Sequence, residues 1–255
     1  ERTAVVRFKI VGEDAYFLAW TTTPWTLCSN IALCVNPDET YARVKAADGF
    51  TYIMAEALLD KVLGGIEREE GTPAYEIIEE YKGKDLEYKE YEPLYQCAKD
   101  AADKQHKKAF FVYCDNYVTM EDGTGIVHIA PAFGEDDAPF VQMVDEAGVM
   151  KPETPFAGMR AKPTKKEMEA GAINCDVEVL KELEGRGILF SAPKVEHEYP
   201  HCWRCDTPLI YYARESWFIK MTDPEVKANL IANNKTINWI PETIGTGRFG
   251  AWLEN

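Results

Sequence analysis

The run Ala19–Asn30, AWTTTPWTLCSN, closes an apolar stretch with three consecutive hydroxyls, Thr21, Thr22 and Thr23, and turns at Pro24. Threonine suits strands and proline ends them, so the run reads first as the end of a β-strand. Whether three hydroxyls in a row do more than end a strand depends on the rest of the chain. A second run, Gly123–Asp137, GTGIVHIAPAFGEDD, places two glycines before a short strand that presents His128, then a proline stop and the acids Glu135, Asp136 and Asp137. Gly123 and Gly125 would let backbone come close to a ligand. The acids read as caps of a helix start or, less commonly, as a catalytic group.

A third group, Cys202 and Cys205 in CWRC, has the spacing of half a zinc knuckle. Structural zinc takes four ligands, and no second Cys-x-x-Cys is present. Cys28 and Cys34 are too far apart to form one, and only His201 is at hand as a third ligand. The expectation is no metal, unless ligands come from outside this chain. No Ser–His–Asp arrangement and no nucleophilic cysteine is evident.

These groups need elements to position them. Thr3–Gly12 and Ala15–Thr23 alternate as strands around a turn at Gly12–Asp14, which predicts a hairpin. Strands continue at 30–37 and 39–55. Leu58, Leu59, Val62 and Leu63 share one helical face within Ala55–Gly65. Residues 71–121 read as short strands and acidic loops. Asp136–Gly148 reads as a helix whose acidic start suits the macrodipole, and short helices follow at Lys165–Gly171 and Asp176–Gly187. From about Pro193 the chain turns aromatic and cysteine-bearing. A helix is expected near Asp223–Asn234, followed by an irregular end. The resulting division is a core over 1–195 and a connecting segment over 196–255.

The bulk composition narrows the options. A chain of 255 residues with 46% apolar and 28% charged content can bury a large core. A net charge of −15, from 43 acidic and 28 basic residues, argues against strong autonomous nucleic-acid binding. The one dense basic run, Lys104–Lys108 (KQHKK), reads as a solvated loop. No stretch approaches the roughly 20 apolar residues of a membrane helix, and no signal-peptide layout opens the chain. Seven scattered cysteines favour a reducing cytoplasm. Both ends have the look of cuts from something larger.

WTTTPWTLCSN and GTGIVHIAPAFGEDD together resemble the signature segments of the editing domain of isoleucyl-tRNA synthetases, the connective-peptide insertion of a class I family. HCWRCDTPLIYYARESWFIKM and NWIPETIGTGRFGAWLEN resemble the segment by which that insertion rejoins the catalytic core, so the likeness covers essentially the whole chain. Valyl and leucyl relatives typically have arginine after two threonines, where this chain has Thr23 and then Trp25. Valyl relatives also tend to have lysine at the position of His128. The resemblance implies an α+β fold centred on a β-barrel with peripheral helices. It implies hydrolysis of Val-tRNA(Ile) with Ile-tRNA(Ile) excluded, and as partners the aminoacylated 3′ end of tRNA(Ile) and the rest of the synthetase. The alternatives are a valyl- or leucyl-type editor and a non-catalytic tRNA-positioning insert.

By the same resemblance, Asp137 would hold the α-ammonium while Asp136 caps a helix. His128 would gate the side-chain pocket, and Thr21, Thr22, Thr23 and Thr26 would serve the ribose, ester and attacking water. Asn30, Gly125 and Trp25 would complete the substrate contacts. The segments that class I synthetases use with ATP, of His-x-Gly-His and Lys-Met-Ser-Lys-Ser type, are absent. KMTDP only approaches the second, and no amino-acid activation is expected.

Overall fold

The computed structural model describes residues 2–133, 140–196, 199–212, 217, 220 and 222–254. The chain divides into two compact units, Glu1–Ala213 and Arg214–Asn255.

In the first unit, β1 (Ala4–Lys9) and β2 (Tyr16–Thr21) form the expected antiparallel hairpin, with Ala4 opposite Thr21 and Lys9 opposite Tyr16. The chain then makes a 3-10 turn at Pro24–Ser29 and continues through β3 (Ala32–Val35), β4 (Thr40–Ala46) and β5 (Thr51–Ala55). Next come the helix α1 (Leu59–Leu63), β6 (Tyr75–Lys82), α2 (Gln96–Lys104), β7 (Phe111–Cys114) and β8 (Ile126–Ile129). The unit ends with α3 (Lys165–Glu169), α4 (Cys175–Gly185) and β9 (Leu189–Ser191).

The strands form one mixed sheet in the order β6-β4-β5-β2-β8-β3-β7, with β1 pairing both β2 and β9. The β7 end of this path meets β1. Residues 88–92 bond to Val112 of β7 and Phe110 beside it, and on the other side to Lys9 and Val11 at the end of β1. The ladder β1–β2–β8–β3–β7 therefore returns to β1 and closes as a barrel does, with β6 on β4 and β9 on β1 left at the edges. Phe8, Phe17, Leu18, Leu33 and Tyr91 belong to the core packed on the two faces of this sheet and are essentially fully buried. The expected α+β architecture centred on a barrel is what the chain adopts.

β2 has neighbours on both sides along its length. Tyr16 and Phe17 pair in parallel with β5, and Trp20 pairs in parallel with Val127 of β8. Strand β8 also runs antiparallel to β3, with His128 opposite Leu33.

Three expectations change. Gln96–Lys104 is helical, within a stretch read as strands and loops. Residues 140–148 of the expected Asp136–Gly148 helix are not helical: Val144 bridges to Met150, and Val141 has φ of 52°. The Asp145 carboxylate there accepts from the Ala147 and Val149 amides, a local pattern that competes with helix formation. Third, the end read as irregular carries two helices.

Those helices lie in the second unit, which holds α5 (Pro224–Asn234), α6 (Thr243–Thr246) and α7 (Arg248–Glu254). Asp223 caps α5 by accepting from the Glu225 and Val226 amides, with Pro224 at the first helical position. Trp239 donates its indole N–H to Asn234 Oδ1 at 3.0 Å, and Asn234 donates to the Gly245 carbonyl at 2.9 Å.

Gly125 has φ of 71°, and a Cβ there would overlap Ala55 Cβ and lie 3.1 Å from Met120 Sδ. Its carbonyl accepts the Tyr41 hydroxyl at 2.7 Å. Gly125→Ala should cost about 2–4 kcal/mol, from left-handed backbone and overpacking together. Urea unfolding measures this, and a loss below about 0.5 kcal/mol would show that the strand entry shifts freely.

Candidate active site

At the end of β2 the sequence changes from strand to turn for a local reason. Pro24 has no N–H and a fixed φ, so it opens the 3-10 turn, and Thr23 before it stays out of the helical region at φ −128° and ψ 76°. The Thr23 carbonyl accepts the Thr26 amide at 3.0 Å and so closes the first turn. Because β8 lies beside β2, the backbone of Val127–Ala130 faces the hydroxyls. A cavity of about 380 Å³ opens between them, lined by Trp20–Thr23, Thr26, Tyr117 and Val127–Ala130. Pockets for small ligands span about 300–1,000 Å³.

The hydroxyls form a chain. Thr21 Oγ1 accepts the Thr23 amide at 3.1 Å and lies 3.4 Å from Thr23 Oγ1. Thr23 Oγ1 is 3.3 Å from Thr26 Oγ1, which donates to the Thr23 carbonyl at 2.7 Å. Thr26 Oγ1 is also 2.9 Å from His128 Nε2. A carbonyl can only accept, so the single Thr26 proton goes to Thr23. His128 must then carry its proton on Nε2 and donate it to Thr26.

His128 Nδ1 is sealed and has no hydrogen-bond partner among the described residues. A charged imidazole would need to donate from both nitrogens, and the second proton would find no acceptor among the described residues. Burial accordingly pushes the His128 pKa down from 6.5 to about 4. The ring is neutral at physiological pH, a donor to Thr26 and not a base.

The other predicted residues sort cleanly. Thr21, Thr22, Thr23, Thr26 and His128 come together at the cavity. Thr22 is half-buried, and among the described residues no hydrogen bond commits its hydroxyl. Three residues do not join them. Asn30 is fully buried, accepting from the Tyr91 hydroxyl at 2.7 Å and donating to the Ala32 carbonyl at 3.0 Å. Its amide ties the turn to the barrel interior. Gly125 faces Ala55 and Met120, so the close approach that requires glycine is to the protein's own core. The same holds for Gly123, where a Cβ would sit 2.6 Å from the Trp20 ring. Trp25 is 3% exposed and belongs to the core, with its amide bonded to Asp176 Oδ1 at 3.0 Å. Asp137, with Glu135 and Asp136, lies outside the described residues.

Two cysteine readings gain structure. Cys28 is fully buried, and its hydrogen bond with Cys97, together with burial, raises its pKa, so it is an inert thiol. Cys202 and Cys205 sit in a tight turn in which the Cys202 amide donates to the Thr207 carbonyl at 2.8 Å. Cys205 Sγ lies 3.1 Å from Thr207 Oγ1, and His201 Nδ1 lies 2.9 Å from the Tyr199 carbonyl. Among the described residues no three His, Cys, Asp or Glu side chains gather to hold a metal.

Sequence reasoning missed Asp176. A first-turn acid after the Asn174 cap of α4 reads as a macrodipole residue. Nothing in the sequence signals its bond to an amide 151 positions away.

The profile of class I tRNA synthetases (I, L, M and V) matches residues 11–255. The chain belongs to the class I tRNA synthetase family. It is 43% identical to an isoleucine–tRNA ligase of Clostridium novyi over its whole length, covering 23% of that relative. It is also 43% identical to the isoleucine–tRNA ligase of Thermus thermophilus over 97% of its length, covering 22% of that relative. This synthetase segment thus spans about a quarter of the length of such relatives. Its fold is similar to the crystal structure of GlLeuRS-CP1, with a TM-score of 0.53 and 16% identity over 77% of this chain and all of that one. Among the described residues no helix is long and apolar enough to cross a membrane.

The neutral state of His128 has a measurable sign. Between pH 6.5 and about 4 the unfolded chain takes up a proton on this ring that the folded chain refuses. Stability from this group is therefore complete above 6.5 and declines as pH falls through that window. An NMR titration should place the His128 midpoint near 4, and His128→Gln should flatten that part of the stability curve. A midpoint at 6 or above would mean that Nδ1 is solvated.

Proposed function

We propose that this synthetase segment is an editing domain that hydrolyses Val-tRNA(Ile) and excludes Ile-tRNA(Ile). The observation that carries the reading is the cavity itself, where a chain of threonine hydroxyls meets a neutral histidine. Its partners on this reading are the aminoacylated 3′ end of tRNA(Ile) and the remainder of an isoleucine–tRNA ligase, working in the cytoplasm.

The chemical need is one of size. One methylene in an apolar pocket is worth about 1–3 kcal/mol, and isoleucyl-tRNA synthetase with its second sieve is the standard illustration of that limit. A smaller second pocket that admits valine and rejects isoleucine supplies the missing discrimination. His128 suits the gate because its ring is fixed through Nε2 and carries no charge to attract water. The hydroxyls suit the ester end. Thr22 is uncommitted among the described residues, and Thr23 and Thr21 can turn toward a ribose or a water without leaving their own chain.

The described lining of the cavity contains no carboxylate. The α-ammonium of an aminoacyl ester requires one, and Asp137 is the residue assigned to it by resemblance to the family. Water then attacks the ester carbonyl, the bond to the ribose oxygen breaks, and that oxygen takes the proton. The products are free valine and a restored terminal hydroxyl. Orientation does the work, and no side chain in the described cavity is a base at neutral pH. The absence of an arginine after two threonines, with Thr23 and Trp25 in its place, favours the isoleucyl reading over valyl or leucyl ones. Any zinc at Cys202 and Cys205 would need ligands from outside this chain.

Deacylation of Val-tRNA(Ile) against Ile-tRNA(Ile) is the direct test. His128→Ala should admit isoleucine, so that the mutant hydrolyses both substrates and discrimination falls by the roughly 10- to 200-fold that one methylene supports. Loss of Val-tRNA hydrolysis with Ile-tRNA still spared would place the gate elsewhere.

A separate pair of variants tests the ammonium site. Asp137→Ala should abolish Val-tRNA hydrolysis without unfolding the chain, while Asp136→Ala, removing at most a cap worth about 1 kcal/mol, should keep most activity. Equal losses in the two would remove the assignment.

A further inference from the structure

The threonine turn is held from behind the cavity. Asp176 lies in the first turn of α4, where its own amide is capped by Asn174 Oδ1 at 2.9 Å. Its Oδ1 accepts the Trp25 amide at 3.0 Å and its Oδ2 accepts from Lys162 Nζ at 2.9 Å. The two side chains are only 10% and 9% exposed. Lys162 Nζ also sits 4.8 Å from the centre of the Tyr199 ring.

The opening N–H groups of a helical turn have no acceptor within it. Pro24 has no N–H, so the Trp25 amide is the first that must find one. The next residue in the same turn, Thr26, is the one that meets His128. A buried ion pair carries a large desolvation cost, and an apolar pair of equal volume serves a core as well or better. An apolar pair, however, cannot accept the Trp25 N–H.

We propose that Asp176, held by Lys162, is a positioning residue of the cavity, fixing the turn Pro24–Ser29 through the Trp25 amide so that Thr26 reaches His128. The consequence for rate rests on the editing function proposed above. The consequence for His128 does not.

Two charge-free double variants of the full chain isolate the hydrogen bond. Asp176→Asn with Lys162→Met keeps an acceptor for Trp25, and Asp176→Leu with Lys162→Met removes it in nearly the same volume. In the Leu variant the His128 midpoint should move up from about 4 toward 6.5, because the ring loses its fixed place. Its kcat on Val-tRNA(Ile) should fall about 10- to 100-fold, as for misplacement of a catalytic group, with KM changed less than about twofold. The Asn variant should recover both. Should the Leu variant fail to fold, Asp176→Glu takes its place, since it keeps the charge and the acceptor but moves both by one methylene. A His128 midpoint and kcat that are the same in the variant lacking or displacing the acceptor as in the unmodified chain would overturn the proposal, as would equal losses in the Asn variant. A wild-type chain inactive on both aminoacyl-tRNAs would remove the editing reading instead, and the His128 midpoint would still decide the role of Asp176.

Discussion

Trp20 lies beside Val127 in parallel register, and the cavity exists because of that pairing. Two strand ends with the same direction bring their exits to the same side. One exit is a run of hydroxyls and the other a strand carrying a histidine. Everything around this contact serves to fix it. β2 is gripped along its first half by β5, along its other edge by β1, and only at its end by β8. Strand β8 is in turn held by all four of its residues against β3. The barrel is thus a device for placing residues 21–26 opposite residues 127–130, and its closure through residues 88–92 prevents the two ends from drifting apart.

Within that frame, the hydrogen-bond directions determine the charge state. Each threonine hydroxyl has one proton and can accept twice. Once the Thr26 proton is given to the Thr23 carbonyl, the His128 tautomer follows, and the sealed Nδ1 bars a second proton. The depressed pKa is a consequence of geometry set by the 3-10 turn. That turn is set in its own right by Pro24, by the Asn30 amide bonded to Tyr91, and by the carboxylate of Asp176. A buried ion pair, a buried amide and a proline all converge on six residues of chain.

The hairpin, the strand that bears His128, α4 and α5 were legible because each has a strong local signal: alternation, a Pro stop, or a capping Asn or Asp. Helix α2 was not, because its buried face is built from Cys97, Ala98 and Ala102, which carry too little apolar bulk to mark a period. The stretch after Phe140 misled in the opposite way. Its apolar residues fit a helix, but the Asp145 carboxylate captures two amides and bends the chain into a turn. At the site, residue types were readable and their directions were not. Gly123, Gly125, Asn30 and Trp25 carry the marks of ligand contact, yet each is explained by packing against Trp20, Ala55, Tyr91 or the core. The position of Asp176 opposite Trp25 is purely tertiary, and sequence spacing holds no trace of it.

A cavity so lined has a particular kind of selectivity available to it. Its described surface offers hydroxyls, backbone, apolar side chains and three uncharged rings, those of Trp20, Tyr117 and His128, and no charge. Valine and isoleucine esters of one tRNA present the same ammonium, ester and adenosine, so no polar group in this lining can tell them apart. Only shape remains, and shape discriminates only as well as the walls are rigid, since a wall that yields by a few tenths of an ångström admits the extra methylene at little cost. On the editing function proposed above, the many fixed points on one short turn are the physical counterpart of that demand.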